Sequence, residues 1–233
     1  MPTMQEIYKK YAEEYDNLVK AEDYQRILIE QLVNNIDWNK KIVYEAGIGT
    51  GRLTKIYIDK IEKVYGFDKE DHMLSKCEEN LNKYKDRMIL QVGDNESLPV
   101  IREKAHIFIE GWSFGHTIVE NSNNIKRTTE KLIKNINENI INGGEIIIIE
   151  TMGTNVNEPK INTNALKYFY NLLENKYGFE NTIVSTDFKF KNYEEAAETI
   201  GFFFGAEMGK NILKNKKKIV PEYTGIWRKN SKK

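Results

Sequence analysis

IVYEAGIGTGRLT, residues 42 to 54, is the stretch on which the fold turns. An apolar run stops at Glu45 and enters a turn with glycines at Gly47, Gly49 and Gly51. Glycine lets the backbone bend tightly and approach a ligand with no Cβ in the way, and a helix expected from about Arg52 offers its unpaired first N–H groups nearby. The segment reads as a strand feeding a nucleotide-binding loop. Two phosphate motifs fail on it: a dinucleotide fingerprint needs glycine where Arg52 stands, and a P-loop needs Gly-Lys-Ser/Thr where the chain has Gly-Arg-Leu. Glu45 at the carboxyl end of the strand, where ligands of open α/β sheets bind, suits a ligand carrying positive charge.

The downstream spacing continues the pattern. Val64 to Phe67 leads to Asp68 after a helix-length gap, and a carboxylate roughly 20 residues beyond a glycine loop can accept from both hydroxyls of a ribose. A third strand, Met88 to Val92, closes on Gly93-Asp94; a fourth, Ala105 to Glu110, empties into Gly111-Trp112-Ser113-Phe114-Gly115-His116. With its Glu-x-Gly-x-Gly-x-Gly loop and successive acidic strand ends, the chain resembles the class I S-adenosylmethionine-dependent methyltransferases of the small-molecule type, whose cofactor carries an ammonium and a sulfonium. The resemblance runs from about Tyr8 to Arg228, with its motifs between Val43 and His116.

That resemblance implies an α/β fold: a doubly wound, seven-stranded, mostly parallel Rossmann-like sheet with an antiparallel last strand and an N-terminal helical lid. It implies S-adenosylmethionine as cofactor and S-adenosylhomocysteine as product. Glu45, Gly47, Gly49 and Gly51 form the loop, and Asp68 takes the ribose. Asp94 meets the adenine amino group, with the Asn95 N–H near the ring; Glu110 and Trp112 lie at the strand end beneath the reactive methyl. Met73 either touches the adenine or is ordinary core. Trp112 either offers an aromatic face to the cofactor, a contact worth about 0.5–2 kcal/mol, or caps the core. His116 either acts as general base, its free pKa lying near neutrality, or caps the next helix. Many family members carry an acid or an Asn-Pro-Pro-Tyr run after the fourth strand; the absence of both here argues against the branch that methylates nucleic-acid amino groups.

The 233 residues suit one methyltransferase domain, with a lid segment at 1–36, a cofactor-binding core at 41–150, and substrate-side helices with the last two strands at 151–233. Ile7, Tyr8, Tyr11, Tyr15, Leu18 and Val19 recur at helical spacing, which makes Tyr11 and Tyr15 candidates either to close over the cofactor or to pack as core. A second helix is expected at 24–34 and another from Lys126 to Ile141, stopped by Gly143-Gly144 ahead of a strand at Glu145 to Glu150. Further on, a helix at Asn164 to Tyr177 and strands at Thr182 to Lys189 and Ile219 to Arg228 complete a hairpin-like antiparallel edge. The run Phe202-Phe203-Phe204 reads either as wall of the substrate pocket or as helix core behind the sheet, and core is the better reading because consecutive aromatics cannot all face one cavity.

Charge and cysteine usage narrow the partners. With 35 basic and 35 acidic residues the chain has no global attraction for nucleic acid or anionic lipid, so a small-molecule acceptor is expected and nucleic acid is not. The single cysteine, Cys77, gives no internal disulfide, no apolar run approaches the roughly 18 residues of a membrane span, and the start of the chain lacks the order of a signal peptide; the expected compartment is the reducing cytoplasm. No metal-ligand spacing stands out. The expected activity is in-line methyl transfer to an oxygen, nitrogen or sulfur nucleophile. Alternatives are a protein or tRNA methyltransferase using a local basic surface of the C-terminal segment, or a catalytically silent cofactor-binding regulator.

Overall fold

The computed structural model describes residues 10–231. Its centre is a seven-stranded sheet in the order β3-β2-β1-β4-β5-β9-β6. β1 (Ile42–Ala46), β2 (Lys63–Asp68), β3 (Met88–Val92), β4 (Ala105–Gly111) and β5 (Ile140–Thr154) pair in parallel. β1, β4 and most of β5 are buried on both faces, which is why they read as near-continuous apolar runs rather than alternating ones. β9 (Glu222–Asn230) runs antiparallel and lies between β5 and β6 (Glu180–Ser185), so the last strand is inserted rather than forming an outer hairpin. This is the Rossmann-like methyltransferase topology. The chain builds β1, β2 and β3 outward and then crosses back to β4, so the crevice at the carboxyl ends of β1 and β4 is a topological switch point.

Each sheet face has its own core. On one, Tyr44 stacks against Phe67 and Phe108 at centroid distances of 4.6 and 5.0 Å. Helices α5 (Phe114–Glu120), α6 (Ile125–Asn139) and α7 (Asn164–Asn171) cover this face with Phe114, Leu132, Ile136 and Phe169. On the other, α2 (Ile27–Asn35) and the single turn α3 (Thr54–Tyr57) bring Leu28, Leu32 and Tyr57 onto Val43, Ile109 and Ile147. No helix among the described residues is long and apolar enough to cross a membrane.

Several boundaries differ from the sequence reading for identifiable reasons. The second helix begins at Ile27, because Arg26 adopts φ +63° and the Asp23 carboxylate accepts from the N–H groups of Leu28 and Ile29, both at 3.1 Å. Gly143 and Gly144 do not stop α6, which ends at Asn139; β5 already starts at Ile140 and the glycines fall inside it. α7 ends at Asn171 and continues as one wider turn closed by Tyr177 N–H on the Leu172 carbonyl. Each predicted late strand is split. β7 (Phe188–Lys189) and β8 (Ile219–Val220) pair as a separate ribbon, with Pro221 interrupting the run between β8 and β9.

That ribbon, α8 (Tyr193–Phe204) and α9 (Ala206–Asn215) form a third cluster, against which α1 (Ala12–Ala21) packs. Tyr11 meets Phe202 edge-on at 5.3 Å and Tyr15 meets Phe203 at 6.4 Å. Phe203 is buried and Phe204 exposed, in keeping with core packing of the phenylalanine run. Ile7 and Tyr8 lie outside the described residues.

Candidate active site

The glycine loop after β1 turns through φ +63°, +55° and +85° at Gly47, Gly49 and Gly51. The three glycines do different work. A Cβ on Gly47 would lie 2.3 Å from the Ser113 Cβ, so this position lets the loop touch the turn after β4. Gly49 faces Met73 and Tyr15. Gly51 packs on α4 (Asp71–Asn80) and the residue after it, its absent Cβ standing 3.0 Å from Cys77 Sγ and 2.7 Å from Leu81, and it does not reach the cavity.

Asp68 fixes that loop. One carboxylate oxygen accepts the Gly49 N–H at 2.9 Å and the other accepts the Glu70 N–H at 3.0 Å, while burial raises its pKa. Across the opening, Asp94 accepts the Glu96 N–H at 2.8 Å and stands 3.6 Å from Lys69. Asn95 donates to the Ser113 carbonyl at 3.3 Å and the Thr117 hydroxyl at 3.1 Å, tying the end of β3 to α5. Between these walls lies a cavity of ≈ 210 Å³, lined by predicted residues Tyr15, Gly47, Gly49, Asp68, Met73, Asp94, Asn95, Trp112 and His116. Burial lowers the pKa of His116, against an opposing effect of Glu120, so its imidazole is neutral at pH 7.

The remaining predicted residues stand elsewhere. Glu45 is 1 % exposed and turned beneath the loop, where it accepts from the Thr54 hydroxyl at 2.7 Å and from the Tyr57 hydroxyl. Burial pushes its pKa up to about 7. Glu110 is fully buried; one oxygen accepts the Ser113 N–H, Ser113 hydroxyl and Phe114 N–H at 3.2, 3.0 and 3.2 Å, and the other has no hydrogen-bond partner. Burial raises its pKa to about 8. Tyr11 belongs to the α8 cluster.

Sequence reasoning passed over Ser113, Thr117, Glu96 and Glu120, all on the cavity wall. Glycine at 47 was the available signal for Ser113, since it makes room for that side chain. Nor did the sequence reveal that Arg52 leaves the loop to pair with Glu22 at 2.8 Å and to lie 3.6 Å over the Trp112 ring. Trp112 itself sits at φ +55°, a strained conformation for a bulky residue and one often found at functional sites. α1 is tied to the same loop: Asp16 accepts from Thr50 at 3.2 Å and Asn80 at 3.3 Å.

The fold and this cleft define a class I methyltransferase architecture. Residues 43–135 match a family model described as a methyltransferase domain. An uncharacterized methyltransferase of Staphylococcus carnosus is 28 % identical over 179 residues, 72 % of this chain and 79 % of the relative. One from Geobacillus sp. strain WCH70 is 25 % identical over 133 residues, 55 % of this chain and only 61 % of the relative's length. A crystal structure of a proposed methyltransferase from Bacillus halodurans superposes with a TM-score of 0.59 at 12 % identity, covering 88 % of this chain and 99 % of the other, a likeness of fold alone. Sequence and topology together make the chain similar to the class I S-adenosylmethionine-dependent methyltransferases.

Proposed function

We propose that the protein moves the methyl group of S-adenosylmethionine to an oxygen, nitrogen or sulfur nucleophile of a small molecule in the cytoplasm. The observation that carries this reading is the pairing of Asp68, bonded to the glycine loop, with Asp94 across one cavity at a topological switch point. The cradle fits the cofactor: Gly47 and Gly49 leave the backbone uncovered, and both aspartates keep acceptor capacity beyond the backbone N–H groups they receive. Asp68 would hold the ribose diol, Asp94 and the Asn95 N–H the adenine edge, and Met73 the adenine face. Gly47, Gly49 and Trp112 would border the amino-acid and methyl end, with Tyr15 covering it. When bound, S-adenosylmethionine supplies a methyl carbon already activated by a sulfonium leaving group. The chain's task is then alignment, which can lower a barrier by on the order of 7–11 kcal/mol. His116, neutral at pH 7, is assigned as the base that takes a proton from the acceptor. Glu45, Glu110, Gly51 and Tyr11 act behind the cavity wall.

The cavity is smaller than the roughly 300 Å³ at the lower end of small-molecule sites. Tyr15 on α1, near Gly49, is the part of the wall that would move to admit a ligand. Calorimetric titration with S-adenosylmethionine and S-adenosylhomocysteine tests the reading: micromolar binding by the wild type, lost in Asp68→Ala, is expected. Absence of binding by the folded wild type would overturn it.

A further inference from the structure

Glu150 takes no part in the cavity, yet it governs the helix that lines it. α5 has seven residues, too few to persist alone, and its first N–H groups have no partners inside the helix. Two carboxylates from adjacent strand ends supply them. Glu110 on β4 takes the Ser113 and Phe114 N–H groups, and Glu150 on β5, 3 % exposed, takes the Gly115 N–H. Glycine at 115 is what allows this, since a Cβ there would stand 2.6 Å from one Glu150 oxygen and 3.1 Å from the other. The clamped segment carries Ser113, His116, Thr117 and Glu120 into the cavity, and Ser113 presses on Gly47 of the glycine loop.

Resting on the methyltransferase reading above, we propose that Glu150 is a positioning residue: with Glu110 it clamps the first turn of α5 and so sets the wall against which the cofactor and His116 are aligned. Burial and the neighbouring Glu110 hold the Glu150 carboxyl well above the usual carboxylate range. Its Oε1 accepts the Gly115 N–H as a glutamine amide oxygen would.

The test compares Glu150→Ala, Glu150→Gln and Gly115→Ala by amide hydrogen exchange across residues 113–120 of the ligand-free protein and by titration with S-adenosylhomocysteine. Glu150→Ala and Gly115→Ala are expected to speed exchange in this segment at least tenfold and to weaken binding at least tenfold, whereas Glu150→Gln stays within about threefold of wild type in both. Leu132→Ala, on the core face of α6 and outside the cavity, supplies a variant of comparably lowered melting temperature; it is expected to keep wild-type affinity. Wild-type exchange in both clamp variants, or an equal loss of affinity in Leu132→Ala, overturns the proposal. If Glu150→Ala does not fold, Gly115→Ala decides by the same criteria. If the wild type binds no cofactor, the methyltransferase reading falls, while the exchange comparison still judges the clamp.

Discussion

Acidic residues end or flank nearly every strand at the ligand-binding edge of the sheet, but they fall into two regions with opposite chemistry. At β2 and β3, Asp68 and Asp94 hold backbone N–H groups while remaining on the cavity wall. At β1, β4, β5 and β9, Glu45, Glu110, Glu150 and Glu222 are 0–3 % exposed and turned into the protein. The first set faces the cavity. The second holds the scaffold: the Thr54 and Tyr57 hydroxyls, the α5 amides and, for Glu222, the Thr151 hydroxyl at 3.0 Å. An acid at a strand end is therefore not one kind of object, and the longer glutamate side chain reaches partners that lie below the rim.

The sharpest consequence is in pH. Burial raises Glu45 to about 7 and Glu110 and Glu222 to about 8, against 4.5 for the ordinary carboxyl. The folded state thus binds these protons more tightly than the unfolded chain, so this contribution to stability is complete below about 4.5 and is lost as pH rises through 7 to 8. Urea unfolding between pH 6 and 9 is expected to show a loss of several kcal/mol, on the order of 1–3 kcal/mol for each of these carboxyls, reduced in Glu110→Gln. A flat profile in the wild type breaks the division into two regions.

Next in size is the contrast between neighbouring acids. Asp68→Ala is expected to weaken S-adenosylhomocysteine binding at least a hundredfold, about 2.7 kcal/mol, whereas Glu45→Gln changes it less than threefold. Equal losses in the two variants would put Glu45 back at the ligand. Glu45→Ala probes scaffold instead. Leaving the Thr54 and Tyr57 hydroxyls unpaired in the interior should cost about 1–3 kcal/mol of folding stability, read by urea titration with the variant still binding cofactor. Arg52, stacked on Trp112 and paired with the buried Glu22, tests the scaffold from another side. Arg52→Met leaves that carboxylate unpaired and is expected to lower stability by about 3 kcal/mol, and no change in melting temperature would mean the pair and the stack carry no weight.

How much of this was legible follows from range. The parallel strands were readable because burial on both faces forces apolar runs such as Ile146 to Ile149, and Asp68 and Asp94 because they sit at fixed spacings from a glycine loop. The direction of Glu45 was not readable, since it depends on Tyr57, twelve residues on, and on burial of the whole strand end. Gly51 belonged to the motif by spacing, yet its neighbours are Cys77 and Leu81 on and after a later helix. The break between β8 and β9 had a visible cause in Pro221, whereas the shift of α2 to Ile27 was set by a side-chain cap from Asp23. Gly115 did carry a local hint of Glu150, but only a structure shows which atoms occupy the space a side chain would need.

The placement of the three tryptophans has an optical consequence. Trp38 and Trp227 are at most 2 % exposed, in cores remote from the cleft, whereas Trp112 lines it beneath a guanidinium. Emission from the first two should report unfolding and little else. Emission from the third should respond to whatever enters the cleft, so the protein carries an internal fluorophore able to follow occupancy in real time without a label.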